Sequence, residues 1–128
     1  MTIEKFEDLE IWQLANELTK EIYRITNRED FKKDFRLRDQ IRASAGSIMD
    51  NIAEGFERGG NREFTQFLYI AKGSCGETRS QLYRSNTFEY IDNDELETLI
   101  MLANKISIKI ANMINYLKSS ELKGAKFH

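Results

Sequence analysis

The sequence predicts an all-α protein, an antiparallel up-down-up-down four-helix bundle. Three observations carry this. Apolar residues recur at steps of three and four along four long segments, no period-two alternation persists, and the 128 residues include no proline. Short connections make consecutive helices antiparallel neighbours. At this length the chain is one domain with a sizeable core. Residues 1–118 are expected to form it, with 119–128 as a flexible C-terminal tail.

The first helix is expected from Asp8 to Thr26, with the seam Ile11, Leu14 or Ala15, Leu18, Ile22 and Ile25. Asn27 to Lys33 is polar and highly charged, and reads as a connection. Asp34 then serves as N-cap of a second helix, because its carboxylate can accept from a free backbone N–H. The seam of that helix is Ile41, Ala45, Ile48, Ile52 and Phe56, and Gly59-Gly60 ends it. Asn61 is expected to cap the third helix, whose seam is Phe64, Phe67 or Leu68, Ala71, Cys75, Thr78 and Leu82. The fourth opens with a capping box, Asp92 with Glu95. Leu96, Leu99, Ala103, Ile106, Ile110, Met113 and Leu117 follow it at heptad spacing.

Beside the apolar seam of the second helix runs a stripe of small polar groups: Gln40, Ser44, Ser47, Asn51 and Glu54. An ordinary surface helix carries Lys and Glu there, so the stripe implies a second face that meets other protein. If the turn centres on Gly59-Gly60, Arg42 faces Glu77, Ser44 faces Cys75 and Ser47 faces Lys72. Gly73, Ser74, Cys75 and Gly76 then oppose Ala43 to Ser47. One reading is a tight helix crossing of small residues edged by an Arg42–Glu77 ion pair. The other is a charged recognition site.

Composition narrows the function. Charged residues are 31% and hydrophobic residues 41% of the chain, which fits a folded, soluble helical protein. Neither an apolar membrane span nor a signal-peptide pattern is present, and the lone Cys75 suits a reducing compartment, so the expected location is cytoplasmic. Ser47, Asn51 and Glu54 do not make a catalytic constellation, since no base or nucleophile of perturbed pKa accompanies them. The sole histidine is the terminal His128, and no Asp/Glu/His grouping has metal-ligand spacing. No catalytic, cofactor or metal site is expected, no small-molecule substrate, and no membrane partner.

Net charge is −2, against the basic balance of most nucleic-acid-binding domains. The charge is uneven, however. Residues 24–42 hold seven bases (Arg24, Arg28, Lys32, Lys33, Arg36, Arg38 and Arg42) against four acids, and residues 89–97 hold five acids and no base. The predicted topology puts both runs at one end of the bundle. They either neutralise each other or leave Arg24, Arg28, Lys32, Lys33, Arg36 and Arg38 to bind phosphate. Trp12, Tyr23, Tyr69, Tyr83 and Tyr116 lie off the seams, either at the core boundary or on a protein–protein surface.

These residues resemble the bacterial four helix bundle protein family, also called the 23S rRNA intervening-sequence protein family. The resemblance rests on Phe6-x-x-Leu9-x-x-Trp12 with Ala15 and Leu18, then on Leu37-x-x-Gln40-Ile41-Arg42-Ala43 and Ser47-Ile48. It continues through Asn51-Ile52-Ala53-Glu54-Gly55-Phe56, Arg58, Glu63-Phe64, Phe67-Leu68, Ile70-Ala71, Gly73-Ser74 and Glu77, covering about residues 6 to 118. Prolines common in the family are missing: Phe31 is followed by Lys32, and Ile48 by Met49. The resemblance implies an antiparallel bundle that assembles into a homopentameric ring, with no established biochemical activity. Some members are encoded inside insertions in 23S rRNA genes. A relative of similar fold, basic where this chain is acidic, serves diversity-generating retroelements beside a reverse transcriptase.

Two functions follow. One is a non-enzymatic homo-oligomeric scaffold, using Gln40, Arg42, Ser47, Asn51, Glu54, Gly73, Ser74 and Glu77 in helix and subunit contacts. The other is an RNA- or DNA-binding accessory protein, using the six cations of residues 24–38.

Overall fold

The computed structural model describes residues 3–127, with side chains described as far as residue 120. Among the described residues, α1 (Glu10–Thr26), α2 (Phe35–Glu57), α3 (Asn61–Thr87) and α4 (Asn93–Phe127) form a four-helix bundle without strands. Short 3-10 turns at Phe6–Asp8 and Phe31–Lys33 lead into α1 and α2. Neighbours run antiparallel, and α4 returns beside α1. The α2–α3 contact is the most extensive between helices, and α1–α4 the least.

The seams read from periodicity are the surfaces the fold buries. Leu18, Ile22 and Ile25 from α1, Ile41, Ile48 and Ile52 from α2, Leu68 and Leu82 from α3, and Ile106 and Ile110 from α4 are fully buried. Each such side chain contributes about 1.5–3 kcal/mol relative to exposure, which offsets the low helix propensity of the many isoleucines.

The helix ends follow local chemistry. Asp34 Oδ1 accepts from Leu37 N at 3.2 Å and caps α2. At the start of α4, Glu95 N donates to Asp92 Oδ1 at 2.8 Å and Asp92 N donates to Glu95 Oε1 at 3.3 Å, a reciprocal capping box. Gly59 ends α2 at a φ of 84°, where a glycine avoids the Cβ penalty. Asn61 does not cap α3. It is the first helical residue, and Gly60 in extended conformation holds the cap position without a side-chain bond.

Two further expectations change. The charged connection Asn27–Lys33 hides Phe31, which is fully buried and stacks on Tyr90 with ring centroids 4.6 Å apart. It plugs the end of the bundle, and a lone plug residue has no periodicity to announce it. The helix α4 runs to Phe127, past Leu117, so the backbone of the expected tail continues the helix. Side chains beyond residue 120, and His128, lie outside the described residues. No described helix is long and apolar enough to cross a membrane.

Candidate interaction surfaces

The polar stripe of α2 faces α3, as its residue types imply. Ser44 Oγ donates to Gln81 Oε1 at 2.5 Å and accepts from Thr78 Oγ1 at 2.8 Å; all three residues are buried. One turn on, Ser47 and Ser74 share a hydrogen bond of 3.0 Å, and Asn51 Nδ2 donates to Ser47 Oγ at 2.9 Å. At the other end, Arg84 donates to Gln40 Oε1 at 2.8 Å. Buried hydroxyls and an amide that satisfy one another fix the α2–α3 register, because slipping it leaves them unpaired in a low-dielectric site. Glu54 lies at the exposed edge and pairs with Arg58 at 3.0 Å.

The register differs from the turn-centred estimate by two to three residues. Ser44 meets Thr78 rather than Cys75, and Ser47 meets Ser74 rather than Lys72. Arg42 does not meet Glu77. It sits on the opposite flank of the α2 core face from Gln40 and Ser44, so it reaches α1. There its Nε donates to Thr26 Oγ1 at 2.8 Å, Nη2 donates to Asn27 Oδ1 at 3.2 Å, and the guanidinium lies 4.3 Å from the Tyr23 ring centroid. Glu77 instead borders a shallow groove between α2 and α3 with Gln40, Ala43 and Arg84.

The expected close approach at Gly73 is also displaced. A Cβ added at Gly46 or Gly73 meets nothing within 4 Å, whereas one added at Gly55 would lie 2.6 Å from Phe67 Cβ. The tight α2–α3 contact is therefore near the turn, at Gly55. Its signal was Gly55 inside the Asn-Ile-Ala-Glu-Gly-Phe run.

At the opposite end the acidic and basic runs meet. Arg28 Nη1 donates to Glu95 Oε1 at 2.8 Å and Nη2 pairs with Oε2, giving a two-point ion pair; Nη1 also donates to Tyr90 O at 3.4 Å. Hydrogen bonding to Arg28 holds the Glu95 carboxyl below the usual carboxylate range. Arg24 pairs with Glu21 at 2.7 Å, Lys32 with Glu29 at 3.1 Å and Arg38 with Asp39 at 2.8 Å. Among the described residues Lys33 and Arg36 have no ion pair. Four of the six candidate phosphate-binding cations thus have carboxylate partners, and Arg28 is tied down most firmly.

Two exposed features escaped the sequence reading because each depends on which side chains the packing leaves outside. On the face of α4 turned away from the core, Met101 and Ile108 are 67% and 62% exposed. Between α1 and α4 lies a cleft of about 430 Å³ with Leu99 and Leu102 at its base and Glu17, Glu21 and Asp94 among its walls. Burial pushes the Cys75 thiol up, and its Sγ donates to Ala103 O at 3.1 Å inside the core. Among the described residues no three His, Cys, Asp or Glu side chains come together as a metal site.

Comparison with known proteins agrees with this architecture. Residues 7–115 match the family described as 23S rRNA-intervening sequence protein. The chain is similar to a crystal structure from Bacteroides thetaiotaomicron VPI-5482, described as a protein with unknown function from the S23 ribosomal protein family. The two share 25% identity at a TM-score of 0.74, over 81% of this chain and 97% of the other. No curated protein matches the chain.

Proposed function

The chain belongs to the 23S rRNA-intervening sequence protein family, and from that premise we propose that it is a non-enzymatic cytoplasmic assembly protein. It acts as a homo-oligomer, a pentameric ring, that presents a scaffold to another macromolecule. The supporting observation is the outward face of α4. Met101 and Ile108, one helical face apart from every core contact, are left to water in the isolated chain. Large apolar side chains held together on an otherwise polar face of the helix are best accounted for by a protein partner. A light-scattering mass tests this. The wild-type chain is expected at a multiple of 15.0 kDa, and Met101→Asp with Ile108→Asp is expected to lower it. A wild-type monomer at micromolar concentration contradicts the reading.

A second reading, RNA or DNA binding, is favoured by the exposed Lys33 and Arg36. It has less support, because the surrounding cations Arg24, Arg28, Lys32 and Arg38 are matched by carboxylates. A salt-dependent titration with an RNA oligonucleotide checks it. Binding that weakens steeply with salt and is lost in Lys33→Glu with Arg36→Glu supports it.

A further inference from the structure

We propose that the seam between α1 and α4 is a docking groove for a basic amphipathic helix of a partner protein. The inference rests on the proposed role as a scaffold, not on the ring, and names the surface and the chemistry of what it receives.

Of the helix contacts in the bundle, α1–α4 is the least extensive, and its seam stays open at two places. Near the start of α4 is the cleft floored by Leu99 and Leu102, with Glu17 and Glu21 on the α1 wall and Asp94 and Thr98 on the α4 wall. Near the start of α1 a second cleft of about 430 Å³ is bordered by Ile11, Met113 and Tyr116, with Glu10 and Lys109 at its rim. Leu102 and Met113 are half-buried at the edge of the core, so each cleft offers apolar surface that the packing does not cover.

The spacing of the two floors defines the occupant. Leu102 and Met113 lie eleven residues apart on α4. That is about three turns, or roughly 16 Å along the axis, and it keeps both on one face. A helix laid along the seam repeats its own face at the same interval, so apolar side chains eleven residues apart on it reach both floors. An extended strand covers the same length in about five residues, an odd step that turns its two side chains to opposite sides. The seam therefore fits a helix.

Charge selects which helix. Glu10 pairs with Lys109 at 2.6 Å beside the Ile11 floor, Glu21 pairs with Arg24 at 2.7 Å, and Glu95 pairs with Arg28. Glu17 and Asp94 have no ion pair among the described residues, so the Leu102 end keeps two unmatched carboxylates beside an apolar floor. Lysine or arginine flanking the first apolar anchor meets them, whereas an acidic helix is repelled. The complementary partner is basic around one anchor and neutral around the other.

Fluorescence anisotropy with labelled synthetic helices tests this. The probe is a lactam-stapled peptide of about sixteen residues, stapled because so short a helix is marginal alone. It carries leucines eleven positions apart and lysines around the first. Saturable binding to the wild-type chain is expected. Leucines nine positions apart, on opposite faces of the peptide, or glutamates in place of the lysines are expected to weaken it about tenfold. Thr98→Arg, an exposed substitution that fills the first cleft and answers its charge, is expected to abolish binding. Glu17→Gln with Asp94→Asn is expected to weaken it about tenfold. Circular dichroism of wild-type magnitude in each variant separates lost docking from lost fold. The absence of saturable binding, equal binding of both spacings, or indifference to Thr98→Arg overturns the proposal.

Light scattering keeps this proposal apart from the oligomer reading. An oligomer that ignores the peptide removes the docking groove and leaves the oligomer standing, while a monomer that binds with the stated dependence does the reverse. Peptide binding that breaks an oligomer into monomers assigns the seam to contact between copies and overturns the foreign partner.

Discussion

Arg28 and Glu95 form a two-point ion pair that ties the connection after α1 to the first turn of α4. Glu95 also closes the capping box with Asp92, so one carboxylate stabilises a helix start and a chain crossing together. Arg28→Met is expected to destabilise the fold by about 1 kcal/mol, the scale of a partly exposed but geometrically good pair. The pH dependence follows from the sign of the shift. The Glu95 carboxyl is lowered in the folded chain, so the unfolded chain binds this proton more readily. The stabilisation is full above the unfolded carboxylate range, about 4.3, and is lost as pH falls through the lowered folded value. Urea unfolding at neutral and acid pH, with Glu95→Gln as control, checks it: the substitution should flatten the acid decline.

Glycines at three helical positions should respond in opposite directions. Gly55→Ala forces a Cβ to within 2.6 Å of Phe67 Cβ, which lies next to the backbone and cannot swing away. It is expected to cost about 2 kcal/mol or more by overpacking. Gly46→Ala and Gly73→Ala enter open space and are expected to stabilise by about 0.5–1 kcal/mol each. Thermal unfolding of the three variants gives the comparison.

The Ser44–Thr78–Gln81 network should show the cost of a half-satisfied buried group. Ser44→Ala leaves Gln81 Oε1 without its 2.5 Å donor and removes one of two acceptors of Thr78, whose Oγ1 also donates to Ser74 O at 2.9 Å. A loss of about 1–3 kcal/mol is expected. Adding Gln81→Leu should recover part of it, since no polar amide then remains unpaired. A double variant no more stable than Ser44→Ala would show that this amide is not the cause.

Arg42 gives a cycle with two opposed expectations. Arg42 with Glu77 should show no coupling, and Arg42 with Tyr23 about 0.5–1 kcal/mol, the value of an exposed cation–π contact. Coupling measured from single and double alanine variants decides between the two partners.

The contrast between Ser44 and Arg42 shows how much was legible in the sequence. Periodicity identified the four helices and most of each buried seam, although near the end of α4 the buried residue is Ile114 and Met113 is half-buried. Of the small polar stripe on α2, Ser44 and Ser47 meet α3, while Glu54 stays exposed. Arg42 was misassigned because turn-centred pairing gives the height of a residue along a helix but not the flank it occupies. A residue one step after Ile41 points to α1, and one step before it points to α3. Phe31 and the Gly55 contact were missed for another reason. A single plug residue and a single close approach are tertiary events that leave no repeat. The α1–α4 cleft and the exposed Met101 and Ile108 were invisible because both are defined by what the packing leaves uncovered.

Self-association through the outward face of α4, at Met101 and Ile108, is the central claim, and native mass spectrometry of the unmodified chain tests it most directly by counting subunits. The account predicts one closed ring, five subunits of 15.0 kDa each, whose mass falls when Met101 and Ile108 are replaced by aspartate. A single 15.0 kDa species at every concentration and salt level would contradict it.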